Sequence, residues 1–362
     1  MEGPFAVQVT PNWEGLRDCI LRKGTPDRVY HIELFLDQEV QDAICKRYHL
    51  LDSLDEDDPF FLLRRQIIIQ RFLGYDYVRC KLDGFEMTLK GEAIPDTADL
   101  QRAGGRQFME EHKGPITNWA EFEAYPWPKL TDVATRSLEW YEENLPDDMC
   151  VIMGSGFTHF CENLTWLMGY ETLCYSLYDQ RDLVAAISQR LLEIFQQALR
   201  RVLEFERVKF IWGSDDMGFR TATLISPADL REFVLPGHKL LAQMAHEAGR
   251  PYLLHSCGNL SAIMEDLIED VRIDAKHSFE DVIEDVVTAK RRYGDRIALL
   301  GGIDIDFLCR ASEEQIRARV RKTLEECLPG GGYCLGTGNS VANYVPLNHY
   351  LAMMDEGRKF KP

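Results

Sequence analysis

Short apolar runs alternate with longer amphipathic segments along most of the chain. The apolar runs predict buried strands, and the segments with apolar residues at helical spacing predict helices. Eight such alternations in the sequence favour an α/β fold of the (β/α)8 TIM barrel type. An open doubly wound sheet is the alternative, but the first predicted strand is not followed by Gly-x-Gly-x-x-Gly, which disfavours it. The predicted strands are Arg28–Leu34, Asp76–Leu82, Cys150–Gly154, Val208–Gly213, the run beginning at Tyr252, Ile273–His277, Ile297–Gly302 and Gly332–Leu335.

The domain organisation follows from the same pattern. Residues 1–26 are predicted to form an N-terminal helical extension, and residues 27–362 the barrel domain. An insertion of about 90–130 follows the second predicted strand. It is rich in Gly and Pro and too long for a simple connection, so we interpret it as an excursion over a pocket.

Candidate metal ligands stand at two predicted strand ends. His255 and Cys257 lie two residues apart, so they point to the same side of a strand, and an imidazole with a thiolate makes half of a tetrahedral zinc site. Cys334 ends the last predicted strand. Because a barrel gathers its functional groups at the carboxyl ends of its strands, we predict a zinc site of His255, Cys257 and Cys334. The alternative is a hydrogen-bonded histidine beside cysteines that pack as small apolar residues.

Several acidic residues are candidates for catalysis. Asp215 and Asp216 follow the fourth predicted strand, and the alternation of strand side chains lets only one of them face the site. That one would be a fourth ligand or would orient His255, and the alternative is a helix cap. Glu33, after the first predicted strand, is a candidate ligand or proton donor, with a salt-bridged carboxylate as the alternative.

A second set of residues is predicted to bind substrate. His277 ends the sixth predicted strand, where it contacts substrate or serves as a structural histidine. Glu162, Trp166 and Tyr30 are predicted to line an aromatic-rich pocket at the mouth of the barrel, with core packing as the alternative for each aromatic ring.

Composition limits the classes of partner. The net charge is −18, which argues against a nucleic-acid backbone or another polyanion as ligand. The sequence contains no apolar run long enough to span a bilayer, and its N-terminus carries no secretory signal pattern. Ten cysteines without a regular framework indicate reduced thiols, so a cytoplasmic protein is expected.

Four segments carry a family resemblance: His255–Asn259, Gly332–Asn339, Gly213–Gly218 and Asp274–Phe279. Together they resemble the uroporphyrinogen decarboxylase superfamily, and within it the corrinoid-dependent methyltransferase branch. The resemblance runs from about Asp27 to the end and is most specific after the fourth predicted strand. It implies a zinc-binding His-x-Cys with a distant Cys, and a corrinoid (cobalamin) carried by a partner protein, since the chain has no room for a separate corrinoid domain.

The resemblance implies a zinc-dependent methyltransferase that moves a methyl group from a methylated donor, such as an aryl methyl ether, to the cobalt of the corrinoid protein. A methylcobamide:thiol methyltransferase is the second reading. A porphyrinogen decarboxylase fits less well, because the Arg-rich Met-Arg-Gln-Ala-Gly-Arg segment is absent and Glu33 and Asp37 would repel substrate carboxylates. A hypothesis from a different functional class is a non-catalytic ligand-binding barrel with structural zinc.

The charge at the predicted strand ends bears on the substrate. The residues just past those ends include no arginine or lysine. An uncharged ether is therefore expected to bind better than an anion, with zinc activating the ether oxygen and Glu33 or Asp216 aiding its departure.

Overall fold

A parallel β-sheet organises the structure. The computed structural model describes residues 3–109 and 112–362. Within them, seven parallel strands form one sheet in the order β1-β4-β5-β6-β7-β8-β9, and β2 pairs with β3 in a separate antiparallel hairpin. The strands are β1 Tyr77–Lys81, β2 Gly91–Ile94, β3 Arg106–Met109, β4 Cys150–Ser155, β5 Val208–Ser214, β6 Tyr252–His255, β7 Ala275–His277, β8 Ala298–Leu300 and β9 Tyr333–Cys334.

Helices follow most strands, as the sequence pattern predicts. They cover one face of the sheet, and no helix among the described residues is long and apolar enough to cross a membrane. Short 3-10 and π-helical turns occur at Leu130–Asp132 and Asp266–Val271. The α-helices are α1 Trp13–Ile20, α2 Gln38–Tyr48, α3 Phe61–Leu73, α4 Trp119–Ala124, α5 Arg136–Asn144, α6 Phe160–Met168, α7 Tyr170–Asp179, α8 Arg181–Val202, α9 Pro227–Phe233, α10 Leu235–Glu247, α11 Val286–Tyr293, α12 Ile305–Arg310, α13 Glu313–Cys327 and α14 Leu347–Lys359.

The two faces of the sheet have different neighbours. On the outer face, Tyr252 of β6 contacts α10 through a 2.9 Å hydrogen bond between its hydroxyl and Nδ1 of His238. The opposite face, the inner face, carries Trp212, His255 and His277, since alternate residues of a strand point to opposite sides and His255 pairs in register with His277. All four residues of β6 are buried, as expected for a parallel strand covered on both faces.

The first predicted strand, Arg28–Leu34, is the main correction to the predicted fold. It forms a single parallel bridge between His31 and Leu335 beside β9, so the described residues do not complete an eight-stranded ladder. On the side of β1, the Tyr77 hydroxyl accepts from the Glu33 amide at 2.8 Å and donates to the Glu33 carbonyl at 3.0 Å. The side chain of a β1 residue thus occupies the backbone groups that a strand ladder would need.

Helix α1 covers the amino-terminal end of the sheet. The amide of Asn12, which caps α1, donates to Asp76 just before β1 at 2.6 Å, and the Trp13 amide donates to the carbonyl of Asp148 just before β4 at 3.2 Å. The Gly332 amide, just before β9, donates to the Cys19 carbonyl at 2.7 Å. The N-terminal segment therefore closes the end of the sheet opposite to the carboxyl ends of its strands.

The predicted insertion contains the β2–β3 hairpin and α4. All residues of β2 are exposed. Asn343, after β9, holds this excursion: its Nδ2 donates to the Leu100 carbonyl at 2.6 Å, and its Oδ1 accepts from Arg106. The excursion therefore lies beside the carboxyl end of the sheet, and its Arg102 and Arg106 line a cleft there.

Candidate functional site

Asp216, His255 and Cys257 form a group of potential metal ligands at the carboxyl end of the sheet. One ligand atom from each residue lies within 4.8 Å of the others. Nε2 of His255 is 3.4 Å from Sγ of Cys257 and 3.5 Å from Oδ1 of Asp216. A nitrogen, a sulfur and an oxygen donor at such separations fit zinc, and three protein ligands leave a position for a substrate atom.

Close backbone packing brings the two loops of this group together. A Cβ atom on Gly258 would lie 2.1 Å from the backbone of Gly218, and Gly258 has a φ of +83°. Glycine meets both requirements, because it has no Cβ and tolerates positive φ. The approach places the loop after β5, with Asp216, against the loop after β6, with Cys257.

Hydrogen bonds converge on Cys257. Its amide donates to Oδ1 of Asp216 at 3.0 Å, and Nδ2 of Asn339 donates to its Sγ at 3.3 Å. The hydroxyl of Ser278 is 3.9 Å from the same sulfur. Burial and the Asp216 carboxylate raise the pKa of the Cys257 thiol, so the free thiol is favoured unless a cation binds in the group.

Asp216, rather than Asp215, faces this group. Burial opposes ionisation of Asp216, but the hydrogen bond and charge of His255 outweigh it and lower the pKa of Asp216 to about 2. An ionised carboxylate suits a metal ligand and not a proton donor.

Asp215 has structural partners on the outer face. Its carboxylate accepts from the amides of Cys161 and Glu162, at 2.9 Å and 2.8 Å, in the first turn of α6. It also accepts from Nε2 of His238 at 2.8 Å. Asp215 therefore joins α6 and α10 to the end of β5, and the structure does not bring it into the metal-ligand group.

His277 orients His255. Their Nδ1 atoms are 2.7 Å apart, so one ring donates the proton of this bond and the other accepts it. Burial, with the neighbouring His255 and Lys276, holds the pKa of His277 well below its usual value. A neutral His277 that accepts from Nδ1 leaves Nε2 of His255 free to bind a metal.

Cys334 does not join the group. Its thiol lies beside that of Cys19 in α1, and Sγ of Cys19 donates to the carbonyl of the preceding residue, Tyr333, at 3.3 Å. Burial and Cys19 raise the pKa of Cys334 well above its usual value. The structure thus places this predicted ligand at the end of the sheet closed by α1, and Asp216 supplies the third ligand atom of the group in its place.

Glu33 and Tyr30 also lie apart from the group. The Glu33 carboxylate accepts from the amide and the hydroxyl of Thr337 at 2.7 Å and 2.6 Å. Burial, opposed by these bonds, raises the pKa of Glu33 to about 8. Tyr30 is buried at the closed end, where its hydroxyl packs against Gly15 of α1, and it does not line the mouth.

Glu162 and Trp166 line a cavity of about 430 Å³ together with Phe85, Met87 and His159. Burial, with the charges of Asp216 and Asp215, raises the pKa of Glu162 to about 8. The Glu162 amide donates to Asp215, the residue next to Asp216, so the Glu162 end of this cavity lies near the metal-ligand group.

A larger cleft of about 1000 Å³ also reaches this group, since Asn339, which donates to Sγ of Cys257, lines it. Exposed apolar side chains border the cleft, among them Phe35, Val282 and Tyr344. The metal-ligand group thus borders both the cavity of Glu162 and Trp166 and the large open cleft.

Sequence reasoning missed several residues near the group. Asn339 lies five positions after Cys334. Its side-chain amide meets Cys257 only because the fold brings the two loops together. Arg79, the one charged residue between Tyr77 and Cys80 of β1, points to the inner face, and its guanidinium lies over the ring of Trp212 at 4.7 Å. A charged residue among Tyr77, Val78 and Cys80 in the buried part of the strand was the available signal.

The family profile of uroporphyrinogen decarboxylase (URO-D) matches residues 112–360, more than half of the chain. The chain belongs to the URO-D family. This confirms the family resemblance found in the motifs.

Individual relatives of this URO-D family member cover shorter stretches. A methylated-thiol–coenzyme M methyltransferase from Methanosarcina mazei is 34% identical over 133 residues, which are 36% of this chain and 33% of that protein. A uroporphyrinogen decarboxylase from Methylococcus capsulatus is 37% identical over 82 residues, 23% of each chain. The chain therefore spans about a third or less of the length of these relatives.

A solved structure of a methyltransferase from Methanosarcina mazei superposes with a TM-score of 0.64 at 17% identity, covering 95% of this chain and 97% of that one. At this identity the match shows the shared fold. The sequence match to the methylated-thiol–coenzyme M methyltransferase agrees with the branch of the URO-D superfamily that the motifs resemble.

Proposed function

We propose that this chain is a zinc-dependent methyltransferase that moves a methyl group from an aryl methyl ether to the cobalt of a corrinoid carried by a partner protein. The observation that carries the proposal is the group of Asp216, His255 and Cys257 between two cavities. The methyltransferase relative supports the type of reaction.

The donor set fits zinc. Asp216, His255 and Cys257 would hold the ion, and Cys334 is left out of the ligand set because its thiol lies beside that of Cys19 at the closed end of the sheet. When bound, zinc supplies Lewis-acid activation of the oxygen that leaves as the methyl group departs.

The chain's own residues prepare the site for this step. His277 fixes the ring of His255, and Asn339 donates a hydrogen bond to the sulfur of Cys257. Such bonds restrict the ligands to one geometry and tune their basicity. The cavity of Glu162 and Trp166 has room for a small aromatic molecule and offers an aromatic wall with one carboxyl group.

The large cleft supports the proposal that a corrinoid protein is the partner. Its apolar border of Phe35, Val282 and Tyr344 is exposed, and about 1000 Å³ of open space leads to Asn339. A flat macrocycle presented by another protein would approach the group from this side, while the methyl donor occupies the smaller cavity.

A methylcobamide:thiol methyltransferase is the second candidate, and the similarity to the methylated-thiol–coenzyme M methyltransferase of Methanosarcina mazei favours it. In that reaction zinc would hold the thiol acceptor as a thiolate, which is the nucleophilic form.

One side-by-side assay separates the two functions. Purified protein is mixed with Co(I) cobalamin and a panel of methoxyaromatics, and in parallel with methylcobalamin and small thiols. We expect methylcobalamin to form with at least one methoxyaromatic and not to form with the Cys257→Ala variant. Turnover with thiols and none with any ether would reverse the assignment.

A further inference from the structure

We propose that a third, smaller cavity beside β7 binds an α-amino acid, with Lys276 holding its carboxylate and Glu280 holding its ammonium group. The side chain of Lys276 leaves the sheet on the face opposite to the metal-ligand group, so this site goes beyond the proposed methyl transfer and does not depend on it.

The cavity lies between the loop after β6 and the segment that joins β7 to α11. Lys276 pairs in register with Leu254 and precedes His277, so its side chain points to the outer face of the sheet. Ser261 and Arg292 also line the cavity, whose volume is about 250 Å³. Pockets for drug-sized molecules measure about 300–1,000 Å³, so this cavity suits a smaller molecule, of the size of an amino acid.

Lys276 brings a buried positive charge that has no carboxylate partner. Its side chain is 7% exposed. Its Nζ donates to the Ser278 carbonyl and lies over the Phe279 ring, 4.3 Å from the ring centre, but it forms no ion pair within residues 3–109 and 112–362. An ammonium has three N–H donors, so a donor is left for an oxygen atom in the cavity. Burial lowers the pKa of Lys276 to about 8, and the charged form therefore predominates at neutral pH.

Glu280 brings the opposite charge to the same cavity. It is half-buried, and among the described residues its carboxylate forms neither an ion pair nor a hydrogen bond, with Lys276 or with any other side chain. The two remaining charged residues of the cavity, Glu284 and Arg292, pair with each other. One cation and one anion of the cavity are therefore each left without a partner of opposite charge.

A zwitterion satisfies both charges at once. The carboxylate of an α-amino acid accepts from the Lys276 ammonium, and its own ammonium donates to the Glu280 carboxylate, so two charge-assisted hydrogen bonds form. A simple anion would face Glu280 as a like charge, and a simple cation would face Lys276 in the same way. A quaternary betaine carries the same two charges, but it has no N–H group to donate to Glu280.

The cavity is connected to the metal-ligand group through one residue. The Ser278 carbonyl accepts from Lys276, and the Ser278 hydroxyl lies 3.9 Å from Sγ of Cys257. Gly258, which follows Cys257, also lines the cavity. A bound amino acid would therefore contact the segments that carry and border Cys257 from behind, which is the position of an effector and not of the reacting substrate.

Binding to analogues that lack one charge tests the proposal without turnover. The protein amino acids are screened one by one by calorimetry. The one that binds most tightly is then compared with its α-carboxamide, which lacks the carboxylate, with its des-amino acid, which lacks the ammonium, and with its N-trimethyl derivative. We expect the amino acid to bind about tenfold or more tightly than each of the three analogues.

Three variants locate the binding site. Lys276→Met should abolish the preference over the α-carboxamide, and Glu280→Gln should abolish the preference over the des-amino acid. Because Glu280 is only half-buried, its variant keeps the test informative if Lys276→Met fails to fold. Lys239→Met is the matched control: it removes an exposed lysine that pairs with Asp270 and lines a different groove, and it should leave the affinity unchanged.

The Cys257→Ala variant separates this site from the proposed function, since it should lose methyl transfer but still bind the amino acid. The proposal is overturned if no amino acid binds, if any of the three analogues binds as tightly, or if the stated preference survives in Lys276→Met or Glu280→Gln. Loss of binding in Lys239→Met or in Cys257→Ala would also overturn it, the latter by placing the ligand at the metal-ligand group.

Discussion

The carboxylate of Asp216 accepts a 3.0 Å hydrogen bond from the backbone amide of Cys257. This bond joins the loop after β5 to the loop after β6, so two residues of the metal-ligand group hold each other in place before any ion binds. Preorganisation of this kind lowers the conformational entropy that metal binding must overcome.

We expect the metal content of variants to follow the structural group and not the sequence motif. Cys257→Ala and Asp216→Ala should each lose zinc, because each removes one of three donors, whereas Cys334→Ala should retain about one zinc per chain. Elemental analysis of purified, folded protein checks this. Loss of zinc in Cys334→Ala with retention in Asp216→Ala would restore the ligand set predicted from the sequence.

Asn339 offers a test of the open position. Asn339→Cys should bind zinc more tightly and lose methyl transfer, because a fourth protein ligand near Cys257 closes the coordination shell. Asn339→Ala is the matched variant: it removes the hydrogen bond to Cys257 and should weaken zinc binding by about tenfold. Competition with a chromogenic chelator measures both affinities. Unaltered activity in Asn339→Cys would show that Asn339 does not border the reacting position.

Asp215 should matter for stability. Asp215→Ala leaves His238 and two amides of α6 without their acceptor, so we expect a loss of about 3–5 kcal/mol in the free energy of unfolding. Asp306→Ala, which breaks the exposed ion pair with Arg310, should change it by less than about 1 kcal/mol. Urea denaturation measures both. Equal effects of the two variants would contradict the structural role of Asp215.

Glu33 predicts a pH dependence of stability. Its folded pKa is about 8, above the unfolded value of about 4.3, so the folded state binds more protons between these two values. Stability should therefore fall as pH rises from about 4.5 to 8, by at most about 1.4 kcal/mol per pH unit from this group, and level off above pH 8. Denaturation of the wild type and of Glu33→Gln across this range measures the difference between the two slopes. Parallel curves would contradict the raised pKa.

Most strands could be predicted from the sequence because their signal is local. The strands from Asp76–Leu82 onward appear within a few residues of their predicted positions, since apolar runs followed by helical spacing need no long-range information. Arg28–Leu34 has an equally apolar pattern, yet it forms only the bridge at His31. On the side of β1, the amide and the carbonyl of Glu33 are bonded instead to the hydroxyl of Tyr77, which is more than forty residues away in the sequence.

The candidate site, too, could be predicted from the sequence only as far as local spacing determines it. That His255 and Cys257 share a side follows from their spacing on one strand. Cys334 also faces inward, in register with Leu300 of β8. Strands in a barrel are staggered, however, so residues in register across several strands stand at different heights along the barrel. Sequence spacing gives the side of a strand and not the height, and Cys334 is correspondingly found beside Cys19 at the closed end.

Helix α1 has a kinetic consequence under the proposed function. Since it covers the amino-terminal end of the sheet through Asn12, Trp13 and Cys19, the methyl donor and the corrinoid protein would both approach from the carboxyl ends of the strands. A corrinoid protein docked over that end of the sheet would also cover the smaller cavity and block a donor from entering it. Steady-state kinetics should then show compulsory-order addition, with the small donor first, and inhibition by excess corrinoid protein that rising donor concentration relieves.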